Sequence, residues 1–283
     1  MGKVEKHLKW LWLAVATMAV GAQQWSESAV AVESASIETN RFEFNMDERS
    51  ASVLDTIMAE LPSEATKAQS HGDLVERISA RFLGTTYQAH TMLGSPVQSE
   101  ALVVKLDGVD CMTFIDYVEA LALSRDRESF LQSLQNVRYA QGKVDYLYRK
   151  HFFSDWHTLE PKNARDITSE ISSNAMTVEK VLNIKKDGSE YVPGLGFIKR
   201  QISFIPAWAI DETLLDRLHN GDYIGVFANE QGLDVTHVGI VVKKDGKVWF
   251  RNASSSPQNM KVMDVPFVNY MRSKPGIVVL RAS

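Results

Sequence analysis

The chain has 283 residues, a net charge of −4 and a single cysteine. Its lysines and arginines form no cluster, which excludes nucleic acid as a partner, and 45% hydrophobic with 23% charged residues is the balance of a globular protein rather than a disordered one. One cysteine excludes any internal disulfide.

The chain starts basic, with Lys3, Lys6 and Lys9. An apolar run over residues 10–19 follows, broken only by Thr17, and then the small residues Val20-Gly21-Ala22. The run is shorter than the ~20 apolar residues a membrane-spanning helix needs. Residues 1–22 therefore read as a signal peptide, and the protein as exported, with the periplasm as its destination. No cysteine follows the run, which excludes a lipoprotein anchor, and no later segment resembles a membrane span. Removing three lysines and one glutamate with the signal moves the charge from −4 to −6. Residues 23–45, rich in Ser, Glu, Gln and Ala, read as a flexible lead-in, and residues 46–283 as one domain.

Helical periodicity marks residues 51–61, 74–83, 111–123 and 129–137. The second half changes character. Gly221-Asp222 is a turn before a strand at 223–227. Residues 235–242 form a second strand, rich in β-branched side chains. Asp245-Gly246 is a two-residue hairpin signal, after which 247–253 returns and 276–281 closes the chain. Helices first and an antiparallel sheet second predict an α+β fold. Residues 140–215 show no clear period and read as an insertion that shapes a cleft.

Cys111 opens the third helix. Asp110 is a good N-cap, and Val109 and Phe114 occupy the two positions of a hydrophobic staple. A thiol there meets the positive end of the helix dipole, which favours the thiolate, the form that attacks carbonyls. Cys111 is the candidate nucleophile.

A cysteine nucleophile needs a base. Among seven histidines, His237 alone sits on a strand otherwise built of Val, Ile and Gly. Gly239, on the same face, is expected to leave open space beside the imidazole. A two-residue turn at Asp245-Gly246 sets Gly239 opposite Asn252 and makes His237 its diagonal neighbour, within side-chain reach. Asn252 is then placed to orient the imidazole, as in the Cys-His-Asn arrangement of papain-like enzymes.

These residues fall within a longer ordered set. It comprises Phe82-Leu83-Gly84-Thr85-Thr86-Tyr87, Asp110-Cys111-Met112-Thr113-Phe114-Ile115, Val137-Arg138-Tyr139 with Gly142, and Arg149-Lys150-His151-Phe152-Phe153-Ser154-Asp155-Trp156. Gly221-Asp222-Tyr223-Ile224, Gly232-Leu233-Asp234-Val235-Thr236-His237-Val238-Gly239-Ile240 and Asn252-Ala253-Ser254-Ser255 complete it. The set resembles the NlpC-type papain-like cell-wall cysteine hydrolases, and more closely their N-acetylmuramoyl-L-alanine amidase-like branch.

The resemblance implies a papain-like core, with N-terminal helices carrying the cysteine and a C-terminal antiparallel sheet carrying the histidine. It implies hydrolysis of the amide between N-acetylmuramic acid and L-alanine in peptidoglycan or muropeptides, with Cys111 as nucleophile, His237 as base and Asn252 as the third residue. Members often carry His at that third place, so the chain departs there. Trp156 and Tyr139 are expected to stack on sugar faces, Arg138 to pair with a peptide carboxylate, and Asp155 and Asp234 to accept sugar or peptide N–H groups. No metal or cofactor is expected: the chain lacks His-Glu-x-x-His and any clustered ligand spacing. Two alternatives stay open, an endopeptidase using the same residues and a non-catalytic wall-binding module.

Overall fold

The computed structural model describes residues 44–282. The first half is mostly helical. A short strand β1 (Phe44–Met46) leads into α1 (Glu48–Lys67) and α2 (His71–Ala80). Three short strands follow, β2 (Thr86–Tyr87), β3 (Leu102–Val104) and β4 (Gly108–Val109), and then α3 (Cys111–Ala122) and α4 (Arg127–Arg138). Each of these helices starts on a side-chain cap: Asp47, Ser70, Asp110 and Asp126 each accept from a backbone N–H of the first turn.

The second half carries α5 (Asp155–Thr158), β5 (Ala164–Asp166), α6 (Thr168–Ile171), β6 (Met176–Leu182), β7 (Ile198–Pro206) and α7 (Glu212–Arg217). It ends with β8 (Tyr223–Phe227), β9 (Val235–Lys244), β10 (Lys247–Ser254), β11 (Lys261–Pro266), α8 (Phe267–Met271) and β12 (Gly276–Ala282). The fold is α+β, with a curled sheet in the order β4-β2-β11-β10-β9-β8-β12-β7-β6 and β5 against β12. Only β2 and β4 pair parallel in it. β1 and β3 form a separate parallel pair.

The central strands are buried on both faces. Along β12, Val278 and Leu280 point into the core shared with α1 to α4, whereas Ile277 and Val279 point into a second core with α6, α7 and α8. That two-sided burial is why β8, β9 and β12 read as nearly unbroken apolar runs.

The expected hairpin is present: Lys244 pairs with Lys247 across Asp245-Gly246, and the register holds to Ile240 opposite Arg251. On its other side β9 carries a bulge. Val226 faces His237 while Phe227 faces Val235, so Thr236 is the extra residue immediately before His237. The bulge leaves the β9–β10 register untouched.

Two expectations are corrected. The 140–215 segment is not simply an insertion over a cleft, because β5, β6 and β7 within it extend the main sheet. The lead-in ends earlier than residue 45, because Phe44 and Asn45 already pair with Leu102 and Val103. The signal and the rest of the lead-in lie outside the described residues. Among the described residues no helix is long and apolar enough to cross a membrane.

Candidate active site

Cys111 is the first residue of α3, and a capping box fixes that start. Asp110 Oδ1 accepts from the Thr113 backbone N–H at 2.8 Å, and Thr113 Oγ1 accepts from the Asp110 backbone N–H at 2.9 Å. Val109 and Phe114, the staple positions, are fully buried in the same core. β2 lies alongside, with Tyr87 paired to Val109.

The backbone N–H groups of Val238, Cys111 itself and Met112 favour the thiolate form of the sulfur. Val238 follows His237 on β9, so helix and strand meet at the thiol. Burial, with the Asp110 carboxylate adding to it, pushes the thiol up to about 12 against those three donors. This corrects the expectation of a resting thiolate: the helix terminus is there, but burial and the capping carboxylate outweigh it.

His237 Nε2 lies 2.9 Å from Asn252 Oδ1. Asn252 is 1% exposed, and its Nδ2 donates to the Phe250 carbonyl oxygen at 3.3 Å. With the amide nitrogen so engaged, Oδ1 is the atom facing the ring. Nε2 therefore carries the proton and Nδ1 the free lone pair. Burial lowers the His237 pKa below 6.5; Asn252 opposes this, Lys274 adds to it and Asp110 opposes it.

Gly239 does not leave open space. A Cβ there would meet Phe250 ring atoms at 2.6 and 2.7 Å and the Arg251 carbonyl oxygen at 2.5 Å. Phe250 occupies the room that glycine gives up, and its ring meets the imidazole edge-on with centroids 6.0 Å apart. The glycine thus serves the aromatic that braces His237.

The five residues expected to touch substrate are interior. Trp156 and Tyr139 are 0% exposed, Arg138 1%, and Asp155 and Asp234 2%. Trp156 packs edge-on against Tyr223. The Tyr139 hydroxyl donates to Glu100 at 2.6 Å. Arg138 pairs with Asp116 at 3.0 Å and donates to the Val103 carbonyl at 2.7 Å. Asp155 is ion-paired with Arg200, and Asp234 accepts from the Ser154 and Val235 backbone N–H groups. Each is engaged by the fold itself, and none presents surface to a ligand.

Sequence reasoning gave no role to Tyr87, Phe250, Tyr270 or Lys274, which complete the surroundings of the thiol and imidazole. Tyr87 and Tyr270 are both raised, first by burial and then by the proximity of Cys111. Tyr87 lies in a quoted motif, whereas α8 offers no spacing that would have singled out Tyr270. A cavity of about 810 Å³ lies at the far end of the β9–β10 hairpin, between Lys243, Lys247 and Trp249. It holds no nucleophile–base pair, so it is not the candidate centre. Among the described residues no group of three or more His, Cys, Asp and Glu side chains is arranged to hold a metal.

Residues 77–277 match the family model described as N-acetylmuramoyl-L-alanine amidase-like, AmiA-like. Among solved structures, an N-acetylmuramoyl-L-alanine amidase from Bacteroides uniformis is 27% identical with a TM-score of 0.64, covering 75% of this chain and 99% of its own. A Legionella pneumophila protein of family DUF1460 is 24% identical with a TM-score of 0.69, covering 82% of this chain and 96% of its own, a likeness of fold. A Bacteroides fragilis protein with a provisional xylanase name is 27% identical with a TM-score of 0.60, covering 72% and 99%. No curated relative matches the chain.

Proposed function

The chain belongs to the N-acetylmuramoyl-L-alanine amidase-like family, and we propose that it hydrolyses the amide between N-acetylmuramic acid and L-alanine in peptidoglycan or its fragments, with Cys111 as nucleophile on a papain-like, NlpC-type core. The observation that carries this reading is the hydrogen bond from His237 Nε2 to Asn252 Oδ1, which leaves Nδ1 as a base on the strand whose next residue, Val238, has a backbone N–H that favours the Cys111 thiolate.

The resting pair is a neutral thiol and a neutral imidazole. As the sulfur attacks the lactyl carbonyl carbon, its proton passes to His237 Nδ1. The negative charge that grows on the carbonyl oxygen in the tetrahedral intermediate is held by backbone N–H groups at the start of α3, beside Cys111. Asn252 steadies the imidazolium through Nε2. The imidazolium then protonates the alanine nitrogen, the C–N bond breaks, and the peptide leaves a thioester on Cys111. Water, deprotonated by His237, attacks the thioester; the muramic carboxylate departs and the thiol is restored.

The basic start and short apolar run of residues 1–22 support export to the periplasm, where such a substrate lies. Incubation with a defined disaccharide-peptide tests the activity. Free disaccharide and a peptide beginning with L-alanine support the amidase; a cut within the peptide assigns an endopeptidase; ligand bound but unchanged assigns a wall-binding module.

A further inference from the structure

This fold neutralises its recessed cations with partners of its own. Lys105 sits between Asp47 and Asp107, Arg149 on Glu100, Arg251 on Asp264 and Arg281 on Asp222. Lys150 and Lys180 are each ringed by oxygen acceptors. Lys274 is treated differently. It is half-buried just past α8, with its backbone N–H on the Met271 carbonyl at 2.9 Å. Its ammonium lies 4.8 Å from the centre of the Tyr270 ring. Among the described residues no carboxylate or hydrogen-bond acceptor engages that ammonium, and none engages the Tyr270 hydroxyl.

Both belong to the active site. The Tyr270 ring is 6.4 Å from the His237 ring and 5.1 Å from Phe250. A positive charge without a counter-ion among the described residues is thus linked through the Tyr270 ring to the one histidine that must itself become positive during the reaction, and it lowers that histidine's pKa. By itself that arrangement opposes imidazolium formation. It is consistent with function if the missing negative charge arrives with the substrate.

We propose that Lys274, held against the Tyr270 ring, is the specificity-determining cation of this site and takes a carboxylate of the peptide on the leaving side of the scissile amide. The proposal rests on the amidase reading for the identity of that peptide. Docking of the carboxylate cancels the charge that opposes imidazolium formation at His237, so an anionic peptide both binds and readies the base. The aromatic face holds the ammonium in place without neutralising it, which keeps its charge available.

The test compares N-acetylmuramoyl-L-alanyl-D-glutamate with its dicarboxamide, using the intact protein, Lys274→Met and Lys274→Arg. The intact protein is expected to favour the carboxylate form in kcat/KM by about tenfold or more, the range of one charge-assisted hydrogen bond. Lys274→Met loses that preference and, with the opposing charge gone, raises the dicarboxamide rate; Lys274→Arg keeps most of the preference. Equal loss on both substrates, or no loss on either, overturns the proposal. Calorimetric binding of the same two compounds to Cys111→Ala, with and without Lys274→Met, separates this inference from the reaction itself. A Lys274-dependent preference in Kd without turnover by the intact protein would overturn the amidase reading and retain the carboxylate contact. Turnover without any preference would do the reverse.

Discussion

Asn252 holds His237 by one ring edge: Oδ1 meets Nε2 at 2.9 Å while Nδ2 is tied to the Phe250 carbonyl at 3.3 Å. The orientation of the amide, and through it the tautomer of the imidazole, is set by backbone geometry. Asn252→Ala is expected to lower kcat by about tenfold to a hundredfold, the usual effect of losing a group that orients a reacting one, with KM little changed. Steady-state kinetics on a defined muropeptide check this; an unchanged kcat removes Asn252 from the mechanism.

The protonation states predict a pH profile. His237 titrates below 6.5 and the thiol near 12, so the pair is uncharged at neutral pH. kcat/KM is expected to rise as pH climbs through the His237 pKa and then to hold level to about pH 9. Iodoacetamide reports on the only thiol in the chain. Its rate should be slow at pH 7 and climb about tenfold per pH unit, as the thiolate fraction does for a high-pKa thiol. A fast rate that stays flat between pH 5 and pH 7 (roughly the thiolate–imidazolium window) would mean a preformed ion pair instead.

Two histidines should move stability in opposite directions. His71 Nε2 sits 3.1 Å from both oxygens of buried Glu119, and that carboxylate raises its pKa above 6.5. Its contribution is full below 6.5 and is lost as pH rises through the folded pKa. His151 is lowered to about 4 by burial, so its contribution is present above 6.5 and is lost as pH falls toward 4. Urea unfolding of His71→Gln should therefore show a deficit of about 1–3 kcal/mol at pH 6 that shrinks at pH 9. His151→Gln should flatten the loss of stability between pH 6.5 and 4. The same deficit at every pH would refute both assignments.

Gly239 supplies the clearance that Phe250 uses. Gly239→Ala places a methyl within 2.7 Å of the ring and 2.5 Å of the Arg251 carbonyl. It should cost about 1–3 kcal/mol of stability, typical of overpacking. It should also depress kcat, because the ring that braces His237 must shift. Paired unfolding and kinetic measurements check it. A stable variant with full activity would show that the ring is not a brace.

Much of this was legible in the sequence, for local reasons. Asp110 before an apolar stripe marks a helix start, and Asp245-Gly246 between β-branched runs fixes both turn and register. Together those signals put His237 and Asn252 side by side. What escaped was set by distant partners. The spacing of Arg138 says nothing of Asp116 one helix earlier, which claims its guanidinium in the core. Trp156 looks like a sugar platform until Tyr223 is seen packed against it. β6 and β7 alternate polar, exposed residues with buried ones, and no tight turn links them, so they read as loop. The thiol was misjudged because the helix terminus is visible in sequence whereas the burial that outweighs it is not.

The central claim is that Cys111 opens the amide between muramic acid and L-alanine. The most direct measurement is mass spectrometry of a defined disaccharide-peptide cleaved in heavy-oxygen water by the intact protein and by Cys111→Ala. The account predicts one heavy oxygen in the muramic carboxylate, an unlabelled peptide with a free L-alanine amine, and no product from Cys111→Ala. Label in a peptide carboxylate, or equal turnover by the alanine variant, would contradict it.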